Sequence, residues 1–329
     1  MNGEARQRAG ENSMLERGVY LRALSCIALS IAALVSLAPG QTPAQDPSVI
    51  RVNSNLVMVP VSVTDGFGTP VKNLTADDFN LEEDGHQQSV SRMDEPGGTP
   101  LELALLFDVS GSIYGRFNFE RQAASRFLRE VLRPRDAVTV FAIGLKPRQV
   151  QERTTKIQSA LDSLAALDPT KEATAFFDSV ASAAHALRDT AAPGSRRVAI
   201  VVSDGEDNYS DQYQLEEALQ ELQHCDSIFY AINPSGPSIR LNKMSMRGQA
   251  YLERLASETG GVAFLPDRPE DLDKIFTRIA AELQAQYLLG YYSLNQRMDG
   301  KFRRIAVNIP RRPDLRVRAR QGYYAVRPS

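Results

Sequence analysis

The stretch LELALLFDVSGS, Leu101–Ser112, is an aliphatic run that stops at an aspartate and continues through a serine, a glycine and a second serine. Apolar on both faces, it reads as a strand buried within a sheet, with Asp108 where the strand meets water. Gly111 lets the following turn close tightly, so that both hydroxyls face inward. The same five residues also fit a simple turn whose serine caps a helix.

Outward from this stretch, apolar segments alternate with helical patterns. Strands are expected at 101–107, 137–143, 197–203, 227–232 and 261–265, with a short one near 149–153. Helices are expected near 114–132, 156–167, 176–189, 212–223, 248–259 and 269–285. The alternation implies an α/β domain: a doubly wound, mostly parallel six-stranded sheet with helices on both faces.

The flanks change period. In NLVMVPVSVTD the residues Val57, Val59, Val61 and Val63 share one face, DGFG at Asp65–Gly68 marks a turn, and FNLEEDGHQQSV reads as two short strands around Asp84 and Gly85. After Gln286 the segments YLLGYYSL, KFRRIAVNIP and LRVRARQGYYAV alternate again, with Ile305, Val307 and Ile309 on one face. Neither flank is large enough for a stable domain alone, so the two are expected to pair into one β-sandwich around the inserted α/β domain. The resulting division is 1–40 signal peptide, 46–98 and 286–329 as halves of the sandwich, and 99–285 as the insert, entered through the hinge-like EPGGTP.

With 329 residues, 43% hydrophobic and 24% charged, the chain is globular in composition. Its formal charge of −2 provides no overall field to gather nucleic acid or anionic membrane, so charge-driven recognition must be local. Arg6, Arg8, Arg17 and Arg22 precede an apolar run from Ala23 to Ala38, the order of an export signal cleaved near Ala38–Ala44, with a retained anchor as the alternative. Location is then periplasmic, cell-surface or extracellular. Removal of the signal leaves Cys225 alone, a buried thiol beside a surface His224 without the cluster zinc needs. The strip Arg311, Arg312, Arg316, Arg318 and Arg320 reads as the solvated face of an edge strand, or else as a dock for an acidic surface.

Two further loops share the edge of the sheet with Asp108. AIVVSDGEDN, Ala199–Asn208, is another buried strand ending in an acid, Asp204, and KEATAFFDSV places Thr174 just before a helix. Asp108, Ser110, Ser112, Thr174 and Asp204 form an all-oxygen set suited to a hard divalent cation, Mg²⁺ first and Mn²⁺ or Ca²⁺ as substitutes. The acidic DGEDN is expected to cap the following helix, with Glu206 and Asp207 free to tune partner choice.

At these residues the chain resembles the von Willebrand factor A (VWA) domain family. DVSGS, Thr174 and SDGEDN look like its complete metal-ion-dependent adhesion site (MIDAS), over Leu101–Gln284, although Glu172 and Ala173 stand where relatives often carry small glycine-rich residues. The flanks resemble secreted bacterial VWFA-related proteins of the acidobacterial type. The resemblance implies adhesion-type protein binding, in which the ion held by these five residues accepts an Asp or Glu carboxylate of a protein partner. Catalysis, nucleic acid and a small-molecule substrate are not expected; oligomeric state is open. The rival readings are a structural envelope scaffold with a merely stabilising metal, and an aspartate-based phosphohydrolase. The second wants another aspartate where Ser110 stands.

Overall fold

The computed structural model describes residues 56–111, 116–237 and 243–326. The apolar run read as an export signal lies outside the described residues, among which no helix is long and apolar enough to cross a membrane.

The central sheet is built on β5 (Leu101–Asp108), whose eight residues are all buried. β6 (Ala137–Ile143) and β8 (Arg196–Val202) pair with it in parallel on either side. Beyond β8 lie β9 (Ser227–Ile232) and the two-residue β10 (Ala263–Phe264), also parallel; beyond β6 lies the antiparallel edge strand β7 (Arg148–Thr154). The strand order is therefore β10-β9-β8-β5-β6-β7.

Alternate residues of β5 enter two cores. Leu101, Leu103, Leu105 and Phe107 pack with α1 (Phe117–Val131), α2 (Ile157–Ala165) and α6 (Leu272–Ala285), for example through Phe127 and Phe276. Ala104 and Leu106 pack with α3 (Phe176–Thr190), α4 (Leu215–His224) and α5 (Lys243–Thr259) on the other face. This is the doubly wound arrangement expected from the apolar strands.

The flanks form two antiparallel sheets over one shared core. The first, in the order β13-β1-β11-β4, places β1 (Leu56–Thr64) between β11 (Tyr287–Tyr292) and β13 (Arg316–Ala319), with β4 (Val90–Asp94) beyond β11. The second runs β14-β12-β2-β3, with β2 (Asn80–Glu83), β3 (His86–Gln88), β12 (Phe302–Asn308) and β14 (Gly322–Tyr324). Val57, Val59, Val61 and Val63 meet Leu81, Leu289, Tyr291 and Ile305 between the sheets. Glu83 from one flank pairs there with Arg303 from the other at 3.4 Å, both 2% exposed. LRVRARQGYYAV, expected as one strand, is two: the chain leaves the first sheet at Arg320, and the Gln321 N–H donates to the Glu258 carbonyl before β14 joins the second.

The arginine strip is not a solvated face throughout. Arg311, Arg312 and Arg316 are exposed, whereas Arg318 pairs with buried Glu282 of α6 and buried Arg320 pairs with Asp226 and donates to the Met58 carbonyl. The α/β layer therefore meets the outer face of β13 at Arg318, while Arg316 on the same face stays exposed. Glu282 also accepts the Tyr230 hydroxyl at 2.5 Å.

Both chain crossings between the modules meet at Arg196. Its backbone N–H donates to the Pro100 carbonyl at 2.9 Å, and its buried guanidinium donates to Leu283 O at 2.6 Å and to Gln286 Oε1 at 3.3 Å.

Candidate metal centre

The sheet reverses its strand order at β5, so the carboxyl ends of β5 and β8 open the crevice in which ligands of such sheets bind. Asp108 ends β5 there, fully buried. Its Oδ1 accepts the Ser110 N–H at 2.8 Å, and its Oδ2 accepts the Ser203 hydroxyl at 2.6 Å. Ser203 Oγ also accepts the Gly205 N–H at 3.0 Å, which ties the turn after β8 to the carboxylate. Asp204, 6% exposed, accepts the Glu206 N–H on Oδ1 at 3.1 Å.

Burial pushes the Asp108 carboxyl up to about 6; the Ser203 hydrogen bond opposes this and the Asp204 charge adds to it. Among the described residues no arginine or lysine forms an ion pair with Asp108 or Asp204. Among the described residues, these two carboxylates thus lack a basic ion-pair partner.

Thr174, 5% exposed, lies on the loop entering α3. Its N–H donates to Asn208 Oδ1 at 2.8 Å, and its carbonyl accepts the N–H groups of Asn208 and Tyr209, each at 3.1 Å. The Asp204 loop is therefore stitched to the threonine loop. The β5 loop joins the same assembly: the Thr170 N–H donates to the Val109 carbonyl at 2.5 Å, and a Cβ at Gly111 would lie 3.6 Å from the Lys171 Cα. That distance is ordinary van der Waals contact, so the two loops touch at Gly111 without depending on the glycine.

Of the five residues expected from the sequence, Asp108, Ser110, Thr174 and Asp204 occupy buried positions at this edge, and Ser112 lies outside the described residues. Among the described residues no three His, Cys, Asp or Glu side chains are grouped to hold a metal by themselves. A divalent ion would need hydroxyl oxygens, and the serines and Thr174 are of that chemistry.

Two roles differ from the sequence reading. Asp207 caps the preceding helix α3 rather than the following one, accepting the Phe176 N–H at 2.8 Å and the Ser210 hydroxyl at 2.5 Å. Helix α4 has its own capping box, in which the Gln214 N–H donates to Glu217 Oε2 at 2.7 Å. Sequence reasoning also passed over Glu120, in the first turn of α1. Glu120 is fully buried, neither of its carboxylate oxygens has a hydrogen bond, and its ion-pair partner among the described residues is Arg116, with Nε at 3.9 Å. Burial pushes this carboxyl up to about 7, against Arg116, and the charges of Asp108 and Asp204 push the same way.

A family model described as the von Willebrand factor type A domain matches residues 102–278 of the chain. No curated protein matches. Among solved structures, the chain is similar to the conserved hypothetical protein BatB from Bacteroides thetaiotaomicron, at 18% identity over 55% of this chain and 97% of that one, with a TM-score of 0.42. A von Willebrand factor type A protein from Catenulispora acidiphila matches at 17% identity over 71% of this chain and 51% of its own, with a TM-score of 0.46. The vWF domain of the type V pili tip protein Mfa5 from Porphyromonas gingivalis matches at 12% identity over 55% and 94%, with a TM-score of 0.45.

Proposed function

The chain belongs to the von Willebrand factor type A domain family, and from that premise we propose that it is an exported, divalent-metal-dependent protein-binding module. The observation that carries this reading is the pair of buried carboxylates, Asp108 and Asp204, coupled to one another at the carboxyl edge of the sheet and unpaired by any described basic residue. Such charge is tolerated when a cation neutralises it.

Ser110, Ser112 and Thr174 would hold the ion through hydroxyl oxygens, with Asp108 and Asp204 acting directly or through water. Mg²⁺ fits the set, with Mn²⁺ or Ca²⁺ as substitutes. When bound, the ion supplies an electrophilic coordination position that an Asp or Glu carboxylate of a protein partner fills. The hydrogen bonds from Ser110 and Ser203 hold the Asp108 carboxylate in one orientation, and the Asn208 contact fixes the Thr174 backbone. Export is supported by the basic-then-apolar order of residues 6–38 and by the single cysteine beyond it.

The test is a pull-down from envelope or culture supernatant with and without Mg²⁺, using wild type and Asp108→Ala. Capture should require both the ion and the aspartate. In the same preparations, Mg²⁺ at about 100 times its Kd should stabilise wild type by about 2.7 kcal/mol, a rise of several degrees in Tm, and leave Asp108→Ala unmoved. Identical metal titrations of the two proteins would overturn the reading.

A further inference from the structure

We propose that the chain carries a second ligand site, a cavity at the junction of the sandwich and the α/β layer that takes a small carboxylate on an apolar body. The cavity has a volume of about 590 Å³, within the roughly 300–1,000 Å³ of small-molecule sites. Both modules wall it. The sandwich contributes Leu74 and Lys72, between β1 and β2, and Met93 of β4; the α/β layer contributes Arg133, after α1, and Gln284 in the last turn of α6. Pro96 and Glu95 of the hinge segment, with Tyr287 at the start of β11, line it where the chain crosses between the modules. Arg133 leads into the amino end of β6, so this site lies at the opposite edge of the sheet from Asp108.

The fold sets these walls before any ligand arrives. The Tyr287 hydroxyl donates to the Val71 carbonyl at 3.0 Å and accepts the Leu74 N–H at 3.1 Å, which pins the 71–74 segment to β11. Within that segment Asn73 takes a φ of 68°, a left-handed conformation that asparagine tolerates better than most residues. On the other wall, the Arg133 N–H donates to Asp136 Oδ2 and its Nη1 to the Gly97 carbonyl, each at 2.9 Å.

The lining then selects the ligand. Lys72 and Arg133 are exposed, and among the described residues neither forms an ion pair. Glu95 also lines the cavity and is likewise without an ion-pair partner among the described residues. Two cations against one carboxylate leave the lining net positive, and the planar guanidinium edge of an arginine matches a carboxylate. Leu74, Met93, Pro96 and Tyr287 add an apolar surface. A carboxylate attached to a hydrocarbon body satisfies both parts, whether it comes from a fatty acid or from the C-terminus of a short apolar peptide. Because both modules supply the walls, an occupant ties them together.

The experiment titrates the full-length protein calorimetrically, in EDTA, with octanoate, octanol, N-acetyl-leucyl-leucine and the amide of that peptide. EDTA keeps the outcome independent of the metal centre, so failure here leaves the metal reading untouched. At least one of the two carboxylates should bind saturably at one per chain and raise the Tm; the tighter of the two identifies the source. Its neutral counterpart should bind about 10-fold more weakly, the loss expected with a charge-assisted hydrogen bond. Replacing both cations, Lys72→Ala with Arg133→Ala, should weaken the carboxylate by about 10-fold or more. The proposal is overturned if neither carboxylate binds, if the neutral counterpart binds equally well, or if the double variant keeps the wild-type affinity. The comparison with octanol and the amide needs no variant, so it decides the matter even if the double variant does not fold.

Discussion

At Asp108 the strand supplies position and the neighbouring loops supply orientation. The carboxylate is legible in the sequence because an apolar run terminates in an acid, and a buried parallel strand leaves few other places for a charge. Thr174 and Asp204 are legible for the same reason, each at the end of an apolar stretch or before a helix. Glu120 is not: in NFERQAAS it reads as one more polar residue on an amphipathic helix, yet its side chain is fully buried. Cys225 gives a test at this scale. The thiol is 1% exposed, and burial pushes it up to about 11 from an ordinary value of 9.0. The folded protein should resist a charged thiol reagent at pH 8 and label fully in urea. Because the folded pKa is raised, the unfolded thiol ionises first as pH rises. The neutral thiol's share of stability is therefore intact below pH 9 and declines between about 9 and 11, by at most about 2–3 kcal/mol. Chemical unfolding of wild type and Cys225→Ala across that range checks the sign.

Among the elements, α5 shows where sequence periodicity and structure part. The pattern suggests a helix near 248–259, whereas α5 begins at Lys243 and Gly248 lies within it. A Cβ at Gly248 would stand 2.6 Å from the Asp204 carbonyl oxygen and 2.9 Å from the Glu206 nitrogen. The glycine therefore serves the Asp204 loop rather than the helix end. Helix propensity alone favours Gly248→Ala by about 1 kcal/mol. The backbone clash opposes it by about 1–3 kcal/mol. We expect a net loss of stability together with weaker metal binding; a rise in Tm with unchanged metal response would show that the helix shifts freely away from the loop. The Asp207 cap was misassigned for a related reason. Its partner Phe176 lies 31 positions earlier, so the hydrogen bond exists only once the two loops have been folded together.

In the whole molecule, pairing of the two flanks was legible because each presented an apolar face too small to bury by itself. What the alternation could not reveal is what lies behind a sheet. Arg318 and Arg320 are off the sandwich core as the pattern requires, yet they contact the α/β layer instead of water. β1 draws both of its sheet neighbours, β11 and β13, from the C-terminal segment. Deleting residues 286–329 should therefore strip hydrogen-exchange protection from β1 by orders of magnitude, since no described strand remains to pair with it. Retained protection in β1 would mean that the N-terminal flank is stable on its own.

Arg196 brings the entry and exit of the α/β layer together at the amino end of β5, while Asp108 stands at the opposite end of that same strand. A partner tugging on the crevice would load β5 lengthwise, straining its ladders to β6 and β8 in shear rather than peeling them one bond at a time. The two junctions would share that tension, so the layer is harnessed like a tow point whose rope is anchored twice.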